Sequence, residues 1–173
     1  MIELILGGAR SGKSRYAEQQ ALASNKKLTY IATAQILDDE MARRVDIHKQ
    51  RRTSDWCTVE EPYALGKVLQ EKAHQDHCIL VDCLTLWLSN LLHSDKANAW
   101  QEEKNSLLQV LPALPGLIIL VSNEVGSGIV PMGKLSRRYV DEIGWLHQDI
   151  ASLSDKVTYI VAGLPQILKG QGL

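Results

Sequence analysis

The sequence predicts an α/β fold in which a mostly parallel, doubly wound sheet is flanked by helices. Short runs rich in Ile, Val and Leu alternate with longer amphipathic stretches along the 173 residues. Continuous apolar runs are typical of strands that are covered on both faces, and their alternation with helical patterns indicates βαβ units. The length suits one core and no stretch resembles a linker, so residues 1–173 are predicted to form a single domain.

The order of the elements follows directly from these runs. The predicted strands are Ile2–Leu6, Leu28–Ala32, Cys78–Val81, Leu117–Val121 and Val157–Val161. The predicted helices are Gly12–Ala23, Ile36–Arg52, Tyr63–His74, Leu84–Leu92, Trp100–Val110 and Lys134–Leu153. Asp95–Asn98 and Pro112–Gly116 are interpreted as connectors.

Composition and charge exclude several classes of protein. A formal net charge of −1 argues against a general nucleic-acid binder, which normally carries a basic excess. We expect no membrane span and no signal peptide, because no apolar run is long enough and Met1–Leu6 lacks a basic segment. Cys57, Cys78 and Cys83 form no CxxC pair and are predicted to be reduced, mostly buried thiols. A cytoplasmic protein is therefore expected.

Residues 7–14 form a complete phosphate-binding loop of the Walker A type. The motif is Gly7-Gly8-Ala9-Arg10-Ser11-Gly12-Lys13-Ser14, with an apolar strand before it and a helical pattern after it. In such a loop the backbone N–H groups and the helix N-terminus point at phosphate oxygens. Lys13 is expected to reach the β- and γ-phosphates, and the Ser14 hydroxyl is expected to bind Mg²⁺. The motif predicts a P-loop NTPase-like, nucleotide-binding catalytic domain, and its context disfavours a chance Gly-rich turn.

A phosphate loop requires an acidic residue on the metal side, and Asp82 is the first candidate. It ends the apolar run Cys78–Val81, where the second acidic motif of such folds is found. The alternative is that Asp82 is only the N-cap of the helix Leu84–Leu92. Glu124 follows the run Leu117–Val121 and is a second acidic candidate, because ligands of open α/β sheets bind at the carboxyl ends of strands.

The segment Met41–Arg52 is unusually basic and contains one histidine. Five of its residues are Arg or Lys and one is Asp, and a helix would place Arg44, His48 and Arg52 on one face. A lone histidine on such a helix is usually a solvated surface residue. However, basic side chains clamp polyphosphates, and a neutral imidazole is a competent nucleophile. His48 is therefore interpreted as a candidate nucleotidyl acceptor.

Together these motifs resemble the bifunctional adenosylcobinamide kinase/adenosylcobinamide-phosphate guanylyltransferase family of cobalamin biosynthesis. The resemblance runs from Gly7 to about Gly163. Besides the phosphate loop, it includes Tyr-Ile-Ala-Thr-Ala-Gln-Ile-Leu-Asp-Asp-Glu-Met at 30–41, His48-Lys49, and Asn-Glu-Val-Gly-Ser-Gly-Ile-Val-Pro at 123–131. Many families share the phosphate loop, but the strings at 30–41 and 123–131 are together highly specific.

The resemblance implies a two-step, Mg²⁺-dependent enzyme. Members of this family phosphorylate the aminopropanol hydroxyl of adenosylcobinamide with ATP or GTP, then transfer GMP from GTP to that phosphate through a guanylylated histidine. His48 matches the position of that histidine. Residues that match the family's guanine-nucleotide contacts are Lys49, Gln50, Arg51, Arg52, Ala32, Thr33, Ala34, Glu60 and Asp82. A homotrimer is also implied.

Two departures from the family pattern and two alternative functions remain. Some relatives carry two adjacent histidines where this chain has Ile47-His48, and the acid at Asp82 is Glu in others. A monofunctional P-loop kinase for a small alcohol explains Lys13 and Asp82 but gives the basic segment no role. A nucleotide-dependent switch is the third possibility, although the chain has no Asn-Lys-x-Asp motif for guanine.

Overall fold

The computed structural model describes residues 1–35 and 56–170, and these contain a seven-stranded sheet. The predicted helix Ile36–Arg52 lies outside the described residues, and with it His48, Lys49, Gln50, Arg51 and Arg52. Within the described ranges, no helix is both long enough and apolar enough to cross a bilayer.

The sheet is mostly parallel, as predicted. Its strands are β1 (Ile2–Gly7), β2 (Lys27–Ala32), β3 (Trp56–Glu60), β4 (His77–Asp82), β5 (Leu117–Asn123), β6 (Lys156–Val161) and β7 (Leu164–Lys169). They are arranged in the order β3-β2-β4-β5-β1-β6-β7. Neighbouring strands are parallel except β6 and β7, which are antiparallel. The carboxyl ends of the six parallel strands therefore lie along one edge of the sheet.

The helices agree closely with their predicted bounds. They are α1 (Lys13–Ala23), α2 (Leu65–Lys72), α3 (Leu84–Leu92), α4 (Ala99–Val110) and α5 (Lys134–Leu153), and a 3₁₀ turn at Leu111–Ala113 follows α4. Only α2 is clearly shorter than expected. It stops before Ala73, whose backbone is extended.

Each face of the sheet packs against its own helices. One face carries Leu4, Val81 and Leu120 and joins a cluster with helix residues such as Trp87 and Trp100. The other face carries residues of opposite parity, including Ile5, Leu80 and Val121, and packs on Ala17 and Ala21 of α1. The small side chains of these alanines let α1 lie close to the strands. Along β4 and β5, alternate residues therefore face the phosphate-loop helix.

The two strands that the sequence did not predict, β3 and β7, lie at the edges of the sheet. Every residue of β7 is exposed, and it contains Pro165. Every residue of β3 is exposed or half-buried, and Cys57 is exposed. Edge strands lack a second strand partner and need no continuous apolar run. The thiols of Cys78 and Cys83 are buried and all three cysteines are free, as expected.

A buried ion pair joins the neighbouring strands β1 and β6. Lys156 Nζ lies 3.1 Å from Glu3 Oε1, and each side chain is only 3% exposed. Thr158 Oγ1 donates to the same carboxylate oxygen at 3.2 Å. Burial by itself lowers the pKa of Lys156, but the hydrogen bond and the charge of Glu3 outweigh it, so the pKa is raised. Both charges are therefore satisfied within the chain.

Candidate active site

The phosphate loop connects β1 to α1 and curls around its own backbone. Gly12 is the N-cap of α1 with φ of 96°, a left-handed conformation that favours glycine. Ser11 N donates to Gly8 O at 3.2 Å, and Lys13 Nζ donates to the same oxygen at 3.2 Å. The Lys13 side chain is therefore folded back over the loop.

The turn between β6 and β7 packs directly against the phosphate loop. Gly163 N donates to Ser11 O at 2.8 Å. A Cβ atom on Gly12 would lie 3.2 Å from Gly163 Cα, and one on Gly7 would lie 2.7 Å from Ile160 O. The loop and the hairpin are thus packed backbone against backbone, which leaves no room for side chains at these positions.

Lys13 is a mostly buried ammonium group beside a carboxylate. Burial lowers its pKa, and the negative charge of Asp82 acts in the opposite direction. A buried cation that is only partly compensated attracts a polyanion strongly, since few waters screen it. This environment suits the binding of a triphosphate.

Asp82 ends β4 and does not cap the following helix. The N-cap of α3 is Cys83, and no side chain caps this helix. The interpretation of Asp82 as only an N-cap is therefore wrong. The hydroxyl of Thr33 fixes the backbone that follows Asp82, because Thr33 Oγ1 donates to Cys83 O at 2.7 Å and accepts from Cys83 N at 2.9 Å. Burial raises the pKa of Cys83 to about 11, so its thiol is not a nucleophile at neutral pH.

The other predicted nucleotide contacts within the described residues lie along the same edge. Ala32 ends β2 and pairs with Glu60 at the end of β3 on one side and with Asp82 on the other. Thr33 and Ala34 follow directly. Thr33 is fully buried; its N–H donates to Asp82 O and its carbonyl accepts from Asn90 Nδ2 at 2.8 Å. Thr33 therefore joins the ends of β2 and β4.

Glu124, the second acidic candidate, turns toward its own loop. Its backbone N–H donates to Gly7 O at 3.0 Å. Its carboxylate Oε1 accepts hydrogen bonds from Gly126 N at 2.5 Å and from Ser127 Oγ at 3.3 Å. The Glu124 carboxylate therefore stabilises the turn after β5.

Two further side chains at this edge were not predicted as site residues. Asn123 pairs with Gly7 at the end of β5, and its Nδ2 donates to Thr85 Oγ1 at 2.8 Å. The detectable signal for Asn123 was a polar residue at the carboxyl end of a buried parallel strand, the same signal that identified Asp82.

Residues 3–168 match the model of the family described as cobinamide kinase / cobinamide phosphate guanyltransferase. The chain belongs to this family. Its members are bifunctional enzymes with kinase and guanyltransferase activities, and the present chain is an enzyme of that class.

Curated relatives agree over the whole length. The bifunctional adenosylcobalamin biosynthesis protein CobP of Pseudomonas aeruginosa is 57% identical over 173 residues, which is 100% of both chains. The bifunctional adenosylcobalamin biosynthesis protein CobU of Escherichia coli is 37% identical over 177 residues, covering 95% of this chain and 97% of its own.

More distant solved structures share the fold alone. The flagellar accessory protein FlaH of Methanocaldococcus jannaschii has a TM-score of 0.53 at 16% identity, over 98% of this chain and 78% of its own. The RadB recombinase has a TM-score of 0.50 at 16% identity, over 91% of this chain and 73% of its own. The predicted P-loop NTPase-like fold is thereby confirmed.

The described residues also fit a magnesium-nucleotide ligand. Ser11 Oγ is buried in the loop and has no hydrogen-bond partner among the described residues, as expected of a group that faces a polar ligand. Ser14 and Asp82 supply hard oxygen donors. In the part of the chain that the structure describes, no three His, Cys, Asp or Glu residues cluster as a metal site.

Proposed function

We propose that this chain phosphorylates the aminopropanol hydroxyl of adenosylcobinamide with ATP or GTP and then transfers GMP from GTP to the new phosphate, giving adenosylcobinamide-GDP. The main support is that the phosphate loop and Asp82 lie at the same edge of the sheet in a member of this family. Lys13 and Asp82 are close enough there for the carboxylate to act on the lysine pKa.

In the kinase step, the chain positions and neutralises a triphosphate. The loop N–H groups from Gly8 to Ser14 and the ammonium of Lys13 bind the phosphate oxygens. Bound through Ser14 and Asp82, Mg²⁺ would supply positive charge to the phosphates. Direct phosphoryl transfer requires no covalent intermediate, so these groups suffice. Ala32, Thr33, Ala34 and Glu60 are proposed to contact the nucleotide along the adjoining strand ends.

The guanylyl transfer is proposed to pass through His48, which lies outside the described residues. The imidazole nitrogen attacks the α-phosphorus of GTP, a P–N bond forms, and the bond to the pyrophosphate oxygen breaks. A phosphate oxygen of the corrinoid then attacks the same phosphorus, and the P–N bond breaks to regenerate the imidazole. Lys49, Gln50, Arg51 and Arg52 are proposed to hold the triphosphate, and the family resemblance supports each of these roles.

A homotrimer in the cytoplasm is proposed as the working form. Besides the family resemblance, the loop between β5 and α5 supports association, because Ile129 is 98% exposed, Val130 75% and Met132 95%. Adjacent apolar side chains with this exposure commonly mark contact surfaces. Sedimentation equilibrium should give three times the mass of the chain, and a monomer at all concentrations would contradict this assembly.

Covalent labelling with α-³²P-GTP tests the function. Wild-type protein should acquire an acid-labile label and convert the corrinoid alcohol first to its phosphate and then to its GDP derivative. His48→Ala should acquire no label and should still phosphorylate the alcohol. The matched control is His93→Ala at an exposed position in the described part of the chain, which should label normally.

Each alternative function gives a different result in the same assay. A monofunctional kinase would make corrinoid phosphate without any protein label, and a nucleotide switch would make only GDP. Labelled His48→Ala protein would show that another histidine is the acceptor.

A further inference from the structure

The end of β5 lies between the two strands that carry the nucleotide site. On one side Asn123 pairs with Gly7, which leads into the phosphate loop. On the other side β5 pairs with β4, where Val121 is opposite Asp82. The side chain at position 123 is therefore at the sheet edge between the loop and the metal-side carboxylate.

The parity of the strands places Asn123 and Asp82 on the same face. Ile119 and Val121 face α1, and Asn123 is the next residue in that row. Cys78 and Leu80 face α1 from β4, and Asp82 continues that row. Since α1 begins at Lys13, both polar residues lie on the side of the phosphate loop.

A short chain of hydrogen bonds orients the Asn123 amide. Its Nδ2 donates to Thr85 Oγ1 at 2.8 Å, and Thr85 Oγ1 lies 3.0 Å from Cys83 Sγ. The Thr85 backbone carbonyl accepts from Tyr139 O–H at 2.9 Å, and Thr85 is 3% exposed. Among the described residues none donates to Asn123 Oδ1, although the side chain is only half-buried. The amide nitrogen is thus held, and a carbonyl acceptor remains available.

We propose that Asn123 Oδ1 accepts a hydrogen bond from the alcohol that attacks the terminal phosphate, and that Thr85 is the positioning residue that holds the Asn123 amide. This inference rests on the proposed kinase activity. In that step the alcohol oxygen forms the new P–O bond, the bond to the nucleoside diphosphate breaks, and the proton is lost to water. An amide cannot take up the proton, so Asn123 aligns the hydroxyl and does not deprotonate it.

Steady-state phosphorylation of adenosylcobinamide tests both residues. Asn123→Ala should lower the turnover number by about 10²-fold, the order of effect expected for a misaligned reactant. Thr85→Val should also lower the turnover number, by about 10-fold. Thr85→Ser keeps the hydroxyl and should have a turnover number close to that of the wild type. Since Thr85→Val leaves β5 unaltered, it tests the contact even where Asn123→Ala folds poorly. The shape of the pH profile, the nucleotide affinity and the labelling by α-³²P-GTP should all be retained.

Ser122→Ala is the matched control on the same strand. Ser122 is fully buried and lies 2.7 Å from His147 Nε2, so its loss also removes a hydrogen bond at the end of β5. This variant should melt at a lower temperature and keep its turnover number.

The possible results separate the assignment of Asn123 from the proposed function. If Asn123→Ala behaves like Ser122→Ala, with a lower melting temperature and normal turnover, the proposal is wrong. Equal losses of phosphorylation and of nucleotide affinity would make Asn123 a nucleotide contact and would also overturn it. Wild-type protein that phosphorylates no corrinoid would refute the proposed function, and the inference with it.

Discussion

A single methyl group added at Gly7 tests whether the backbone packing between the phosphate loop and β6 is required for stability and for nucleotide binding. A Cβ atom there would lie 2.5 Å from Ser11 Oγ and 2.7 Å from Ile160 O. Both distances are shorter than carbon–oxygen contacts allow, and one partner is strand backbone. At Gly8, in the same loop, a Cβ atom would meet nothing within 4 Å. Gly7→Ala should therefore force the loop and β6 apart, and Gly8→Ala should not.

The expected loss of stability follows from this geometry. Overpacking of a well-packed region costs about 1–3 kcal/mol. In a chain of this size, 1 kcal/mol lowers the melting temperature by about 2–4 °C. Gly7→Ala should then melt about 2–12 °C below the wild type. Gly8→Ala should stay within about 2 °C, because surface substitutions usually change stability by at most about 0.5 kcal/mol.

Thermal melting followed by circular dichroism, without nucleotide, measures this difference directly. Calorimetric titration with a non-hydrolysable GTP analogue then shows whether the displaced loop still directs its N–H groups at phosphate. Gly7→Ala should bind at least about 10-fold more weakly, since misaligned donors lose much of their interaction. Equal melting temperatures for the two variants would refute the argument that the contact at Gly7 constrains the loop.

Three further substitutions test two residues of the site and one buried histidine. Lys13→Ala should reduce corrinoid phosphorylation by about 10²-fold or more, and near-normal product formation would exclude the loop as the catalytic phosphate site. Asp82→Asn should raise the Mg²⁺ concentration for half-maximal turnover and leave the melting temperature almost unchanged, because Cys83 is the N-cap of α3. Burial lowers the pKa of His147, against an opposing effect of Glu124, so protonation favours the unfolded chain. The free energy of unfolding in urea should fall between about pH 7.5 and about pH 5.5, and His147→Gln should show a smaller fall; an identical pH dependence would contradict this role.

Much of the fold was predictable because its central strands are covered on both faces. Ile79, Leu80 and Val81 are all at most 1% exposed, so the strand appears in the sequence as an unbroken apolar run. The edge strands β3 and β7 were missed because exposure allows them polar residues and, at Pro165, a residue without an N–H group. Each edge strand forms by pairing with the strand beside it, β2 or β6, and the local sequence pattern does not indicate that pairing.

The parts of the site that form one contiguous stretch of sequence were predictable, and the contacts between distant residues were not. The phosphate loop is a contiguous motif whose strand and helix flank it directly. The contact of Thr33 with Cys83 joins residues 50 positions apart, and that of Asn123 with Thr85 joins residues 38 apart. No spacing rule links such pairs. Asp82 could be a metal-side acid or the N-cap of α3, and the choice depended on whether α3 starts one residue earlier or later. Sequence patterns do not locate a helix end that accurately.

The central position of β1 has a consequence for synthesis. β1 leaves the ribosome before its partners β5 and β6, and Met1 N donates to Gly116 O, 115 residues further along the chain. At about 5–20 residues per second, β1 and its apolar side chains have no partner strand for roughly 6–23 s. The hairpin glycine beneath the phosphate loop, Gly163, is translated later still. In a nascent chain the phosphate loop therefore lacks its backbone contact with the β6–β7 turn until that turn emerges.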